Sequence, residues 1–336
     1  MLRALHEAGA KVDVVAGRGI GAVSALFAAV DGGARLWDDN GLWRSEGLAQ
    51  LYRWHPVGRL LAAAWAAAVL IVAVPLGAMA LGLIVFPIDF VLKMVGVSGG
   101  GLTSWYLAVA DAAFQPARLP TWLPRLVVLV LSAAGALALA SALTHAVRRR
   151  ERGPWWWRLV PAPLTRVSMV ERCWTVLWDL VRGAAQVRQP ESPELARRYA
   201  ELLADNIGQP GFRELMVTVH DLDTRRDLVC AVVPEGRRRE AARRARTADS
   251  DSRQSETLDL TGVSRDHLAD AIEASLAPPL LTEPRAITFQ RDSYWRGETH
   301  RLCDRAGSLL RLIEELVGID VEQIVLVSDT PEIDGP

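Results

Sequence analysis

Two long apolar runs without a charged side chain dominate the hydropathy pattern of this chain. They cover residues 60–88 and 126–147 and are 29 and 22 residues long. A helix needs about 20 apolar residues to cross the hydrocarbon core of a bilayer, so both runs predict membrane-spanning helices. Pro75 and Gly77 predict a kink in the first of them. A buried helical hairpin in a soluble protein is the alternative, but charge-free runs of this length favour the membrane.

Basic and aromatic residues flank these runs, as they do at membrane interfaces. The connection between the runs carries only Lys93, Arg118 and Arg125, whereas the outer flanks are richer in arginine. Because cytoplasmic flanks carry the excess of basic residues, we expect an integral membrane protein with both ends of the chain in the cytoplasm. The residues predicted to contact the membrane are Trp54, Arg59, Arg148, Arg149, Arg150, Trp155, Trp156 and Trp157.

A different pattern near the start of the chain predicts a strand, a tight turn and a helix. The apolar residues 12–16 precede Gly17, Gly19 and Gly21, and an apolar segment with helical spacing follows. A dinucleotide- or phosphate-binding loop is the alternative. It has less support, because the glycine spacing is not G-x-G-x-x-G and no acidic residue ends a second strand about 20 positions later.

The second half of the chain predicts further helices and strands. Asp221 and Asp223 follow a predicted strand and are interpreted as turn residues rather than as metal ligands. The arginine-rich residues 237–246 and the polar residues 247–257 predict a surface loop, whose basic part either contacts anionic lipid or is solvated. Helices are predicted at residues 171–187, 194–207, 267–277 and 309–317, and strands at 287–289 and 323–328.

Composition narrows the classes of function. The chain is 50% hydrophobic with a mean hydropathy of +0.15, which is high for a wholly soluble protein. Its net charge of −1 argues against nucleic-acid binding by the whole chain. Cys173, Cys230 and Cys303 are widely separated and no H-E-x-x-H motif occurs, so neither a disulfide framework nor a metal is predicted. No cofactor is predicted either.

Residues 2–9, 12–16 and 17–22 together resemble the helix, strand and Gly-x-Ser-x-Gly-Ala elbow of the patatin-like phospholipase family. The resemblance resumes at residues 212–229 and at the helix and proline turn of residues 267–279. It implies a three-layer α/β/α sheet domain interrupted by a two-helix transmembrane insertion. The implied division is residues 1–33 (first part of that domain), 34–59 (juxtamembrane), 60–147 (transmembrane hairpin), 148–211 (interfacial and helical) and 212–336 (second part).

The resemblance also implies a serine nucleophile and an aspartate, and both positions are altered. Gly19 stands at the serine position and Arg296 at the predicted acid position, with Asp292 the nearest alternative acid. In the family, a strand and a glycine-rich segment precede the first helix, whereas the segment that resembles this helix begins here at residue 2. We therefore expect either that the chain is truncated or that the amides stabilising the oxyanion are lost.

These substitutions predict a membrane-anchored protein that keeps the lipid acyl-hydrolase fold but is catalytically silent. Its expected role is to bind the membrane lipid bilayer and a lipid or acyl ligand, or to act as a scaffold. Two alternatives stay open: an active phospholipase or esterase with an unidentified nucleophile, and a membrane signalling or structural protein. Protein partners are not predicted by the sequence.

Overall fold

The chain divides into two compact units in a computed structural model. The first combines residues 1–53 with residues 162–336, and the second comprises residues 54–161. The structure describes residues 4, 8–30, 32–39, 41–44, 51–96, 100–114, 122–148, 162–239, 255–291 and 296–327. All of the predicted helix at residues 2–7 except residue 4, and the whole of residues 240–254, therefore lie outside the described residues.

The strands and α-helices whose bounds the structure describes are numbered in chain order. The strands are β1 (Val14–Arg18), β2 (Arg53–Trp54), β3 (Leu164–Thr165), β4 (Glu214–Asp221), β5 (Asp227–Val232), β6 (Ser255–Asp259), β7 (Arg285–Thr288) and β8 (Thr299–Cys303). The helices are α1 (Ile20–Ala28), α2 (Pro56–Met94), α3 (Gly100–Phe114), α4 (Trp122–Arg148), α5 (Val167–Arg182), α6 (Ser192–Asn206), α7 (Leu268–Ser275) and α8 (Ser308–Gly318). Two 3₁₀ helices cover Gly32–Trp37 and Val263–His267.

A six-stranded mixed sheet forms the centre of the first unit, in the order β6–β5–β4–β8–β7 with β1 also paired to β4. β4 runs parallel to β1 and antiparallel to both β5 and β8. Because β5 occupies one edge of β4 along residues 215–220, β1 and β8 must share the other edge. This arrangement confirms the predicted mixed α/β class.

Apolar side chains cover both faces of this sheet. On one face, Leu26 of α1, Trp174 of α5 and Ile272 of α7 belong to one continuous core and are fully buried. On the other face, Leu312 and Leu316 of the amphipathic helix α8 pack in a smaller core with strand residues. Burial of such side chains is the main stabilising contribution to the fold, at about 25 cal/mol per Å² of apolar surface.

Several sequence predictions need correction in this unit. The predicted closing strand at residues 323–328 is wrong for the described part, because residues 321–327 form no regular element. Strand β6 was not predicted, and it lies partly inside the segment interpreted as a polar surface loop. It forms because its backbone pairs in parallel with β5 over five residues, a long-range contact that local polarity does not show.

The second unit consists of helices α2, α3 and α4. Helix α2 is 39 residues long and remains helical through Pro75 and Gly77. Within it, residues Leu76–Met94 form one helical stretch that is long and apolar enough to span a membrane. Among the described residues the apolar stretches Pro56–Ile71 and Arg125–Ala140 are shorter than that threshold.

The sequence pattern does not predict helix α3, which begins with Gly100 and Gly101. It packs against α2 through Tyr106, whose hydroxyl donates to the carbonyl oxygen of Ala78 at 2.7 Å. The ring of Tyr106 meets Phe86 edge to face, with ring centroids 5.7 Å apart. Gly82 permits this contact, since a Cβ there would lie 2.7 Å from the tyrosine hydroxyl.

Candidate functional site

The turn between β1 and α1 is made by Gly19 alone. Its backbone has φ 55° and ψ −135°, in the positive-φ region that strongly favours glycine. The carbonyl oxygen of Gly19 accepts a hydrogen bond from the amide of Ala22 at 3.1 Å, which closes the first helical turn. The strand therefore reverses into the helix at one residue, which stands at the tip of the turn.

Gly17 permits the strand to approach the helix this closely. A Cβ on Gly17 would lie 2.4 Å from the carbonyl oxygen of Gly21, a distance that real atoms do not adopt. A Cβ on Gly21 would meet nothing within 4 Å. The three predicted glycines thus have different roles: Gly17 permits close packing, Gly19 permits the sharp turn, and Gly21 has open space beside it.

The sheet topology brings a carboxylate to this turn. Arg18, the last residue of β1, pairs with Thr218 of β4, and Cys303, the last residue of β8, pairs with His220. The two strands approach each other from opposite directions along the same edge of β4, so their ends meet. The residues that follow, Gly19 and Asp304, therefore come together.

The carboxylate of Asp304 lies directly against the space beside Gly19. A Cβ built on Gly19 would be 3.1 Å from Oδ2 and 3.5 Å from Oδ1 of Asp304. Arg18 donates to the same carboxylate from Nε to Oδ1 at 3.0 Å and from Nη2 to Oδ2 at 2.6 Å. The two side chains are 27% and 14% exposed, so this bidentate pair is largely shielded from water.

Neighbouring backbone and side-chain contacts hold Asp304 in place. Its amide donates to the carbonyl oxygen of Ala277 at 2.9 Å, and the hydroxyl of Tyr52 donates to the adjacent carbonyl oxygen of Leu276 at 2.9 Å. Burial raises the pKa of Tyr52 to about 12. Burial likewise raises the pKa of Cys303 to about 11, so this thiol stays protonated and is a poor nucleophile at neutral pH.

A second buried polar group lies at the start of β5 and α8. The carboxylate oxygen Oδ1 of Asp227 contacts Nδ1 of His220 at 2.7 Å and accepts from the hydroxyl of Ser308 at 2.7 Å. Burial alone would raise the pKa of Asp227, but the hydrogen bonds from His220 and Ser308 outweigh it and hold the pKa below its usual value.

The lowered pKa of Asp227 predicts acid sensitivity. Its ionised form stabilises the fold fully above the unfolded-state pKa of about 3.9, and this contribution is lost as the pH falls through the lower folded-state pKa. We expect Asp227→Asn to lower the free energy of unfolding by about 2 kcal/mol at pH 7, and by much less near pH 2. Unfolding of the full chain in detergent at both pH values, followed by near-UV circular dichroism, tests this. An equal loss at both values would contradict it.

The predicted acid position and the elbow lie at different places in the first unit. Arg296 does not lie against the elbow; it lines a separate cavity with Asp221, Glu298 and His300. Asp304 provides the carboxylate that faces Gly19. The sequence signal for Asp304 is an aspartate directly after a strand. Asp292 lies outside the described residues.

The predicted membrane contacts are described only in part. Trp54 is exposed, as is Arg59 on the first turn of α2, while Arg148 is the last residue of α4. Arg149, Arg150, Trp155, Trp156 and Trp157 lie outside the described residues.

The described residues also bear on three other sequence predictions, which concern Asp221 and Asp223, the basic segment and metal binding. Asp223 lies in the turn after β4, as predicted, whereas Asp221 is the last residue of β4 and accepts with Oδ1 from the amides of Asp223 and Thr224. In the basic segment, Arg237 pairs with Glu214 and Arg238 with Asp259. Among the described residues, no group of three or more histidine, cysteine, aspartate or glutamate side chains is arranged to hold a metal ion.

Comparisons of this chain with protein-family models, with curated proteins and with solved structures find no match in any of the three.

Proposed function

We propose that this chain is a membrane-anchored protein with a patatin-like α/β/α domain, and that it binds a lipid or acyl ligand without hydrolysing it. One observation carries the proposal: Gly19 has the sharp backbone geometry of a nucleophile elbow, and a carboxylate lies 3.1 Å from where its Cβ would be. The arrangement is that of a serine–aspartate dyad without the serine hydroxyl.

The chemistry of such a dyad explains why the site would be silent. A serine hydroxyl attacks the ester carbonyl while the carboxylate helps to remove its proton. Glycine offers no atom for this attack, and removing the nucleophile of a serine hydrolase costs on the order of 10⁶ in turnover. Binding of a lipid or acyl ligand does not require the serine hydroxyl. Ligand binding can therefore persist when hydrolysis is lost.

Arg18 supports the same proposal. Its guanidinium donates to both oxygens of Asp304, so each carboxylate oxygen already accepts a charge-assisted hydrogen bond. An active dyad needs the carboxylate available to the nucleophile, directly or through water. Here the acid is engaged by the side chain of the residue immediately before the elbow glycine.

Membrane anchoring rests on α2 and on the sequence pattern. The helical stretch Leu76–Met94 is long enough to cross a bilayer. The second apolar run, at residues 126–147, lies within α4. We propose that the two form the transmembrane insertion, with both ends of the chain facing the cytoplasm because the basic residues are concentrated on the outer flanks.

The alternative of an active enzyme has less support. Ser308 is hydrogen-bonded to a carboxylate in the same unit, but it is fully buried and donates to Asp227. A hydroxyl in that position cannot reach an ester substrate. The alternative of a signalling or structural protein has no separate observation in its favour.

Lipid binding and lipid turnover by one preparation test this function. The full chain is purified from carbonate-washed membranes, where a spanning protein stays in the pellet, and is given a short-chain fluorescent phospholipid in detergent. We expect saturable binding and no release of fatty acid. Turnover that persists through stringent purification would favour the active enzyme, and capture of a protein partner without any lipid binding would favour the scaffold.

A further inference from the structure

A cavity of about 550 Å³ opens at the end of the sheet where β4 turns into β5. Its wall includes Arg226 in that turn, Glu256 on β6, and Arg296 and Glu298 before β8. Neither Gly19 nor Asp304 lines it, so this cavity is separate from the elbow. Its volume lies in the range of small-molecule sites, about 300–1,000 Å³.

Charged groups of both signs line the cavity. Four carboxylates and two guanidinium groups face it together with an imidazole, whereas Leu228 is its one aliphatic lining residue in the described part of the chain. An acyl chain is a poor occupant, because it would desolvate these charged groups without pairing them. A small ligand with charges of both signs fits the wall better.

Most of the carboxylates already have partners within the protein. Asp221 contacts Nδ1 of His300 at 2.5 Å, and Asp227 contacts His220 at 2.7 Å. Glu256 pairs with Arg226 at 3.0 Å. Three of the four carboxylates in the wall are therefore already paired. The charged side chains that remain to bind a ligand are one arginine and one glutamate.

Those two side chains are Arg296 and Glu298, which belong to the same connection between β7 and β8. The side chain of Glu298 is 58% exposed, and its Oε2 lies 3.4 Å from Nε2 of His300. The side chain of Arg296 is exposed and makes no hydrogen bond or ion pair with another described residue. Two opposite charges, two residues apart, therefore face one cavity.

We propose that this cavity binds a small zwitterion that carries an ammonium group and a phosphate, the ammonium at Glu298 and the phosphate at Arg296. The fixed carboxylates of Asp221 and Asp227 add negative potential to the cavity, which favours an ammonium group. A guanidinium is well suited to phosphate, because its planar donors match two phosphate oxygens. The same chemistry occurs in a phosphoethanolamine lipid headgroup and in a free phosphorylated amine.

Titration calorimetry of the full chain with O-phosphoethanolamine tests the site. We expect saturable binding that Glu298→Gln and Arg296→Gln each weaken roughly tenfold, since each removes one charged partner. Glu235→Gln, an exposed carboxylate outside the cavity that pairs with Arg239, is the matched control and should leave binding unchanged. Inorganic phosphate alone and ethanolamine alone should bind at least tenfold more weakly than the zwitterion.

The source of the ligand is distinguished by repeating the titration in nanodiscs. Weaker binding of the free probe in phosphatidylethanolamine nanodiscs than in phosphatidylglycerol nanodiscs would support the site and assign it to the lipid headgroup. Equal binding in both would support it and assign it to a free phosphorylated amine. No saturable binding by the unmodified protein, equal affinity for phosphate alone, or unchanged affinity in both cavity variants would overturn the proposal. None of these outcomes depends on the elbow being silent.

Discussion

Replacing Gly19 with serine is expected to give this protein an ester-cleaving activity that the unmodified chain lacks. The introduced Cβ would lie 3.1 Å from Oδ2 of Asp304, so the hydroxyl would be next to a carboxylate that can take its proton. Hydrolysis of a p-nitrophenyl ester by the full chain in detergent measures the gain. In the Gly19→Ser background, Asp304→Asn should lower the rate by about 10²–10⁴-fold, the usual contribution of a general base.

The Gly19→Ser substitution is also expected to lower the stability of the fold, and Gly21→Ser provides a matched control. A serine at φ 55° is strained, and Gly19→Ser should destabilise the fold by about 1–3 kcal/mol. Gly21→Ser is the matched control, because it places a hydroxyl on the same elbow in open space and away from Asp304. Equal hydrolysis by Gly21→Ser, or hydrolysis by Gly19→Ser that is unaffected by Asp304→Asn, would contradict the assignment of this pair.

Arg18 should limit the activity of the Gly19→Ser variant, because it donates to both oxygens of Asp304. Adding Arg18→Thr frees the carboxylate and is expected to raise the ester hydrolysis rate further. A lower rate in the Gly19→Ser, Arg18→Thr double variant would indicate that Arg18 holds Asp304 in position rather than competing for its carboxylate.

Gly17→Ala is expected to be the most destabilising single-methyl change at the elbow. The added Cβ would lie 2.4 Å from the carbonyl oxygen of Gly21, a backbone atom that moves only if the strand and helix separate. Overpacking of this kind costs about 3 kcal/mol. Gly21→Ala adds the same methyl group in open space within α1, so it should be neutral or stabilising by about 0.5–1 kcal/mol. Thermal unfolding of both variants in detergent measures the difference, and similar unfolding midpoints would contradict the proposed role of Gly17.

The elbow could be predicted from the sequence because its signal is local. An apolar strand, three alternating glycines and a helical repeat occur within about 17 consecutive residues, and the structure has β1, Gly19 and α1 in that order. The apolar stretch in α2 could be predicted for the same reason.

Local sequence signals could not identify Asp304 as the carboxylate at the elbow. Asp304 meets Gly19 only because β1 and β8 share one edge of β4, an arrangement that joins Arg18 and Asp304 across 286 positions of the sequence. Matching a short motif by sequence position led to Arg296, which lies in the connection before β8 rather than at its end. Helix α3 was missed because its first residues are glycines, although its packing depends on Tyr106 further along.

Intact-protein mass spectrometry after fluorophosphonate treatment tests the central claim most directly. The unmodified full chain and its Gly19→Ser variant are treated side by side in detergent. The silent-elbow account predicts no adduct on the unmodified protein and a single adduct on the variant, located by peptide mapping at position 19. An adduct on the unmodified protein would reveal a nucleophile elsewhere in the chain and contradict the account, as would a folded Gly19→Ser variant that remains unlabelled.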